Sequence, residues 1–158
     1  MWTLLVGAAL AGPSSVLLED GSVLGTVSVR APVDVVRSRV SDPAWVSATE
    51  GGGTKVTVTG RDGACLLIDA VTPTVVVEAH YATRQCPTAD GVLATLRSSN
   101  AFTDYTTSWR VMPDGAGSRI EYRLSMKTKL MVPQSFISGT LRSRVQGLME
   151  KVGAALGG

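Results

Sequence analysis

The stretch that decides the fold is Asp104 to Met126, DYTTSWRVMPDGAGSRIEYRLSM, together with Val132 to Leu156, VPQSFISGTLRSRVQGLMEKVGAAL. In the first part, Tyr105, Thr107, Trp109 and Val111 alternate with Asp104, Thr106, Ser108 and Arg110. Beyond the Pro113-Asp114-Gly115 turn, Ile120, Tyr122, Leu124 and Met126 alternate with Arg119, Glu121 and Arg123. A period of two on both sides of a turn predicts an antiparallel hairpin with one buried face. In the second part the period lengthens: Ile137, Leu141, Val145, Leu148, Val152 and Leu156 recur every three to four residues, with Arg142, Arg144, Glu150 and Lys151 off the stripe. That pattern predicts one long helix over about Pro133 to Leu156. Its apolar stripe needs a partner of equal length, which only the inner face of a curled antiparallel sheet supplies.

Upstream, the same two periods account for most of the chain. Leu24 to Arg30 alternates as a strand, and Ala31-Pro32 ends it. Val33, Val36 and Val40 then mark a short helix, and Ser41-Asp42-Pro43 opens a second one carrying Trp45 and Val46, which Gly51-Gly52-Gly53 breaks. Strands follow over Lys55 to Thr59, Ala64 to Ala70, Thr74 to Arg84 and Val92 to Ser98. In the third of these, Val75, Val77, Ala79 and Tyr81 share the inner face, opposite Glu78, His80 and Arg84. The expected architecture is α+β: a seven-stranded curved antiparallel sheet wrapped round the C-terminal helix, with two short helices after the first strand.

A chain of 158 residues with 44% hydrophobic and 18% charged residues is of a size and composition to bury one core, which excludes a disordered chain and disfavours a multidomain enzyme. A net charge of +2 is too small an excess to favour nucleic acid as partner. His80, Cys65 and Cys86 do not have the spacing of a tetrahedral metal site, so neither metal nor cofactor is expected. No phosphate loop, dinucleotide fingerprint or Gly-x-Ser-x-Gly elbow is present.

Several local sequences carry a resemblance to a known family. They are Ala31-Pro32 followed by Val35-Val36, Asp42 with Trp45, Ser108-Trp109-Arg110-Val111-Met112-Pro113, Gly115-Ala116-Gly117-Ser118-Arg119-Ile120, and Val132-Pro133. In their order and spacing, over Val23 to Leu156, they resemble the helix-grip fold of the START-like superfamily, also called SRPBCC. That superfamily includes polyketide cyclases, coenzyme Q-binding proteins and birch-pollen-allergen-like proteins. Ser118 stands where many members have threonine. The resemblance implies a START-like domain over residues 22–157 and a cavity between sheet and last helix for an apolar molecule such as a lipid, quinone, sterol or polyketide. It implies no single activity.

Met1 to Gly12, MWTLLVGAALAG, reads as the apolar run of an export signal with Ala9-Leu10-Ala11 as cleavage site, although no Lys or Arg precedes it. Residues 1–15 are accordingly expected to be a signal peptide and leader, and the protein to be exported to the periplasm or cell exterior; without that signal it would be cytoplasmic. In an oxidising space Cys65 and Cys86 have the chance to pair. A turn near Thr72-Pro73, however, sets Cys65 opposite about residue 79 and leaves Cys86 roughly 20 Å further along, a gap that only a bulge or curled strand would close. A disulfide and two separate thiols both remain open.

The expected cavity lining combines inward strand residues with residues of the helices: Trp45, Tyr81, Thr107, Trp109, Tyr122, Leu124, Met126, Phe136 and Leu141. No catalytic residue is assigned. His80, the one histidine, falls on the outer face, and neither cysteine has a histidine beside it. A carrier or sensor of a hydrophobic small molecule is therefore the leading reading. The alternatives are a cyclase, dehydratase or hydrolase of the same fold, in which Tyr81, Tyr122 or an inward threonine positions the substrate, and an interaction module with a filled core. Seven basic and two acidic residues lie from Arg119 onward. Within that excess, Lys127 and Lys129 are candidates for peripheral contact with anionic membrane, beside a portal near the start of the last helix. A monomer is favoured.

Overall fold

A computed structural model describes residues 10–73 and 78–157. Its elements are β1 (Ser14–Leu17), β2 (Val23–Val29), α1 (Val33–Val40), α2 (Pro43–Glu50), β3 (Lys55–Asp62), β4 (Cys65–Thr72), β5 (Ala79–Pro87), β6 (Gly91–Ser99), β7 (Phe102–Asp114), β8 (Gly117–Thr128) and α3 (Gln134–Ala155). The strands form a single antiparallel sheet in the order β1-β2-β8-β7-β6-β5-β4-β3. The α+β helix-grip architecture is thus as expected, but among the described residues the sheet has eight strands and not seven. The additional strand, β1, runs from Ser14↔Thr26 to Leu17↔Val23 along β2, where its sequence SSVL is too short to show a period. Its first two residues are the last two of the expected leader, whose residues 1–9 lie outside the described residues.

The parity of β7 and β8 holds. Trp109, Val111, Ile120, Tyr122 and Leu124 are buried, whereas Arg110 and Arg123 are exposed. Across this wall α3 turns Leu141, Val145, Leu148, Met149 and Val152 into the core. It lies close to β2 because Gly25 has no side chain there: a Cβ on Gly25 would stand 2.5 Å from Val145 Cγ1 and 2.7 Å from Met149 Cγ. α1 adds Val36 and Val40 to the same core, and Asp42 caps α2 by accepting from the Ala44 N–H.

One register differs from expectation. The strand expected over Thr74 to Arg84 begins at Ala79 and continues to Pro87; Val75 and Val77 lie outside the described residues. Because Thr72 pairs with Ala79, the β4–β5 connection occupies residues 73–78 and not a tight turn at Thr72-Pro73. Leu66 then faces Gln85, so Cys65 and Cys86 come opposite each other with Cα atoms 4.2 Å apart. They are joined in a disulfide, and the expected separation of the two cysteines disappears with the corrected register.

Candidate ligand cavity

Ile68 and Ala70 on β4, Ala94 on β6 and Trp109 on β7 form the apolar floor of a cavity of about 100 Å³. Its roof comes from Val40, from Val46 and Glu50 on α2, and from Arg144 on α3. The Trp109 and Tyr122 rings pack with centroids 4.5 Å apart at one side. At the other, Tyr81 and Tyr105 meet at 4.9 Å.

The polar groups gather at the end of the cavity nearest α2. Arg144 Nε donates to Glu50 Oε1 at 2.6 Å, joining the middle of α3 to the last residue of α2. Burial holds the Tyr105 phenol well above its ordinary pKa, and Tyr122 adds to that shift. Burial likewise raises Tyr122, while the Arg144 charge and a hydrogen bond with Tyr105 pull it back in part. Burial alone would make Arg144 easier to deprotonate, but the neighbouring Tyr105 phenol and Glu50 carboxylate outweigh it, so the guanidinium is held charged. Thr72 Oγ1 links the Tyr81 hydroxyl, at 3.5 Å, to Thr54 Oγ1, at 2.8 Å. Together these make a fixed array of hydrogen-bonding groups in which the Tyr105–Tyr122 bond already uses one phenol proton. Two phenols raised further above neutral pH stay protonated there and are poor proton sources.

The Glu50–Arg144 pair marks a boundary. On its outer side lies a second hollow of about 370 Å³, bordered by Gly51, Gly52, Ser143, Gly147 and Lys151, which shares Glu50, Thr54 and Arg144 with the inner cavity. A third pocket, about 220 Å³, sits beyond the stacked Phe102 and Tyr105 rings, whose centroids are 5.5 Å apart. It lies between the ends of β7 and β8 and the start of α3, and apart from Thr128 and Thr140 its lining is apolar.

Of the residues expected to form one lining, Tyr81, Thr107, Trp109 and Tyr122 meet in the inner cavity. Met126, Phe136 and Leu141 border the third pocket instead. Leu124 is fully enclosed in the core and Trp45 packs against it, so neither borders any of these hollows. His80 is exposed on the outer face, 3.4 Å from Glu78. The sequence reading passed over Glu50, and it placed Arg144 off the buried stripe. A signal for Arg144 did exist: three residues after Leu141 and four before Leu148, it shares their side of the helix.

No family model and no curated protein matches the sequence. Solved structures do match in fold. A START superfamily protein from Mycobacterium smegmatis superposes with a TM-score of 0.72 at 18% identity, over 85% of this chain and 96% of that one. The Zhui aromatase/cyclase from a Streptomyces species gives 0.60 at 15% identity, over 85% and 87%. The lipid transfer and protein localization domain of human StarD13 gives 0.64 at 12%, over 85% and 76%. The chain therefore has the START-like helix-grip fold.

Proposed function

We propose that the protein binds and carries a hydrophobic small molecule in the cavity between the sheet and α3. The observation that carries this reading is the cavity's make-up: an apolar floor of Ile68, Ala70, Ala94 and Trp109 with the polar side chains of Tyr105, Tyr122 and Arg144 in the same lining. One polar end and one apolar end orient an elongated or fused-ring ligand, such as a lipid, quinone, sterol or polyketide. A lipid transfer domain and an aromatase/cyclase share the fold, which is compatible with carriage and with catalysis alike. The phenols, raised away from neutral pH, favour holding a ligand over protonating one. Native mass spectrometry of the purified protein, with extraction of what co-purifies, tests this: a bound apolar compound is expected, and a chain that binds no apolar probe overturns it.

Loading belongs to the same proposal. Leu130, Met131 and Phe136 are exposed at the start of α3, Met131 completely so, and Lys127 and Lys129 stand just before them. Exposed apolar side chains beside cations suit the surface of an anionic bilayer, with the third pocket directly behind. The reading also takes the chain as exported, for which the Cys65–Cys86 bond is the support, since such bonds persist in oxidising compartments.

A further inference from the structure

Arg144 has donors to spare. A guanidinium offers five N–H groups in a planar fork, and Glu50 takes only the one on Nε. Among the described residues neither Nη nitrogen has a hydrogen-bond partner, yet neither is sealed away from solvent, since the one buried side-chain nitrogen left without a partner is Arg37 Nε. Arg144 borders both the inner cavity and the outer hollow. Its unused donors are thus accessible at a residue that borders both hollows.

The charge there is not balanced. The outer hollow is bordered by two cations, Arg144 and Lys151, and by one acidic residue, Glu50. Lys151 Nζ donates to the Glu50 backbone carbonyl at 2.5 Å and has no carboxylate partner among the described residues. One positive charge is left over at the entrance to a cavity whose far wall is apolar. From this we infer that the ligand is an amphiphilic carboxylic acid: its carboxylate takes the Nη edge of Arg144, and its hydrocarbon body lies over Ala70, Ala94 and Trp109. Lys151 attracts the anion without contacting the hydrocarbon. The inference rests on the cavity being a binding site and adds the head group it takes, together with an entrance between Gly51-Gly52 and α3.

Decanoate and decan-1-ol share a chain and differ at the head, so titrating each into the full-length protein at neutral pH, followed by Trp fluorescence and calorimetry, isolates the head group. A charge-assisted bidentate bond predicts that decanoate binds roughly 10- to 100-fold more tightly than the alcohol. In the Glu50→Gln/Arg144→Met double variant, which removes the fork together with its counter-charge and keeps Lys151, most of the preference should disappear while decanol still binds. Arg144→Lys keeps the charge and loses the fork, so it should retain only part of the preference even if the double variant fails to fold. Equal affinity of the wild type for the two compounds, or a tenfold preference for decyl phosphate over decanoate, overturns the carboxylic-acid inference and leaves the binding function standing. Binding of neither overturns both.

Discussion

Glu50, the last residue of α2, and Arg144, in the middle of α3, are bonded across the mouth of the inner cavity at 2.6 Å. The Arg144 side chain is 32% exposed and that of Glu50 21%, so the pair lies between the weak ion pairs of a surface and the costly ones of a core. Arg144→Met alone is expected to destabilise by about 1–3 kcal/mol, because it leaves the Glu50 carboxylate without its partner. Adding Glu50→Gln should restore part of that loss. A double-mutant cycle in urea measures the coupling, and additive losses would show that the two side chains do not stabilise each other.

Cys65 and Cys86, 21 positions apart, close a loop that takes in β4 and all of β5 but its last residue, Pro87. Cross-linking a loop of that length restricts the unfolded chain, so reduction, or Cys65→Ala with Cys86→Ala, is expected to cost about 2–4 kcal/mol. Denaturant midpoints with and without reductant check it. An unchanged midpoint would mean that the bond does not form in solution.

At Gly25 any side chain would meet Val145 and Met149. Gly25→Val is expected to push α3 off β2 and to destabilise by about 1–3 kcal/mol. Thermal unfolding is the measurement, with Gly115→Ala unsuitable as a control, because Gly115 has φ +58° and is strained by substitution on its own account.

Tyr105 and Tyr122 both have phenols raised above the ordinary value of 10.0 in the folded protein. The unfolded chain then loses these protons first as pH climbs. Their contribution to stability is complete below pH 10 and falls progressively above it. Ultraviolet titration should show two tyrosines ionising late, and Tyr122→Phe should remove one of them. Ordinary ionisation of all three tyrosines in the native state would contradict the burial of the pair.

If Lys127 and Lys129 meet an anionic bilayer, replacing both with glutamate should weaken sedimentation with phosphatidylserine vesicles at low salt, leaving thermal stability within about 1 kcal/mol. Met131→Ser should weaken it too, by removing a fully exposed apolar side chain. Vesicle binding unaltered in both variants would leave the third pocket without a role in loading.

Residues with strict periods revealed their positions from sequence. Tyr105 to Val111 and Ile120 to Met126 alternate so regularly that the concave face could be read directly, and the stripe from Leu141 to Leu156 sized α3. Pairing between strands was harder to read. The sequence at Thr72-Pro73 has the residues of a turn but does not say how long the connection is, and moving the partner strand by seven residues brings Cys65 from opposite Ala79 to opposite Cys86. β1 escaped notice because four residues carry no period and an apolar N-terminal run offered a competing explanation. Arg144 escaped because a charged residue at the margin of an apolar stripe is usually solvated, and only the folded position of Glu50 brings it a partner.

The contact at Gly25 also divides α3 into two mechanical halves. From Leu141 onward the helix is wedged against β2 and the core, with Gly153 close enough to Val27 that a Cβ would stand 3.1 Å away. From Gln134 to Thr140 most of its residues face solvent. The helix therefore serves two neighbours at once: its C-terminal half is seated on β2 and the core, and its N-terminal half walls the apolar third pocket through Phe136, Ile137 and Thr140.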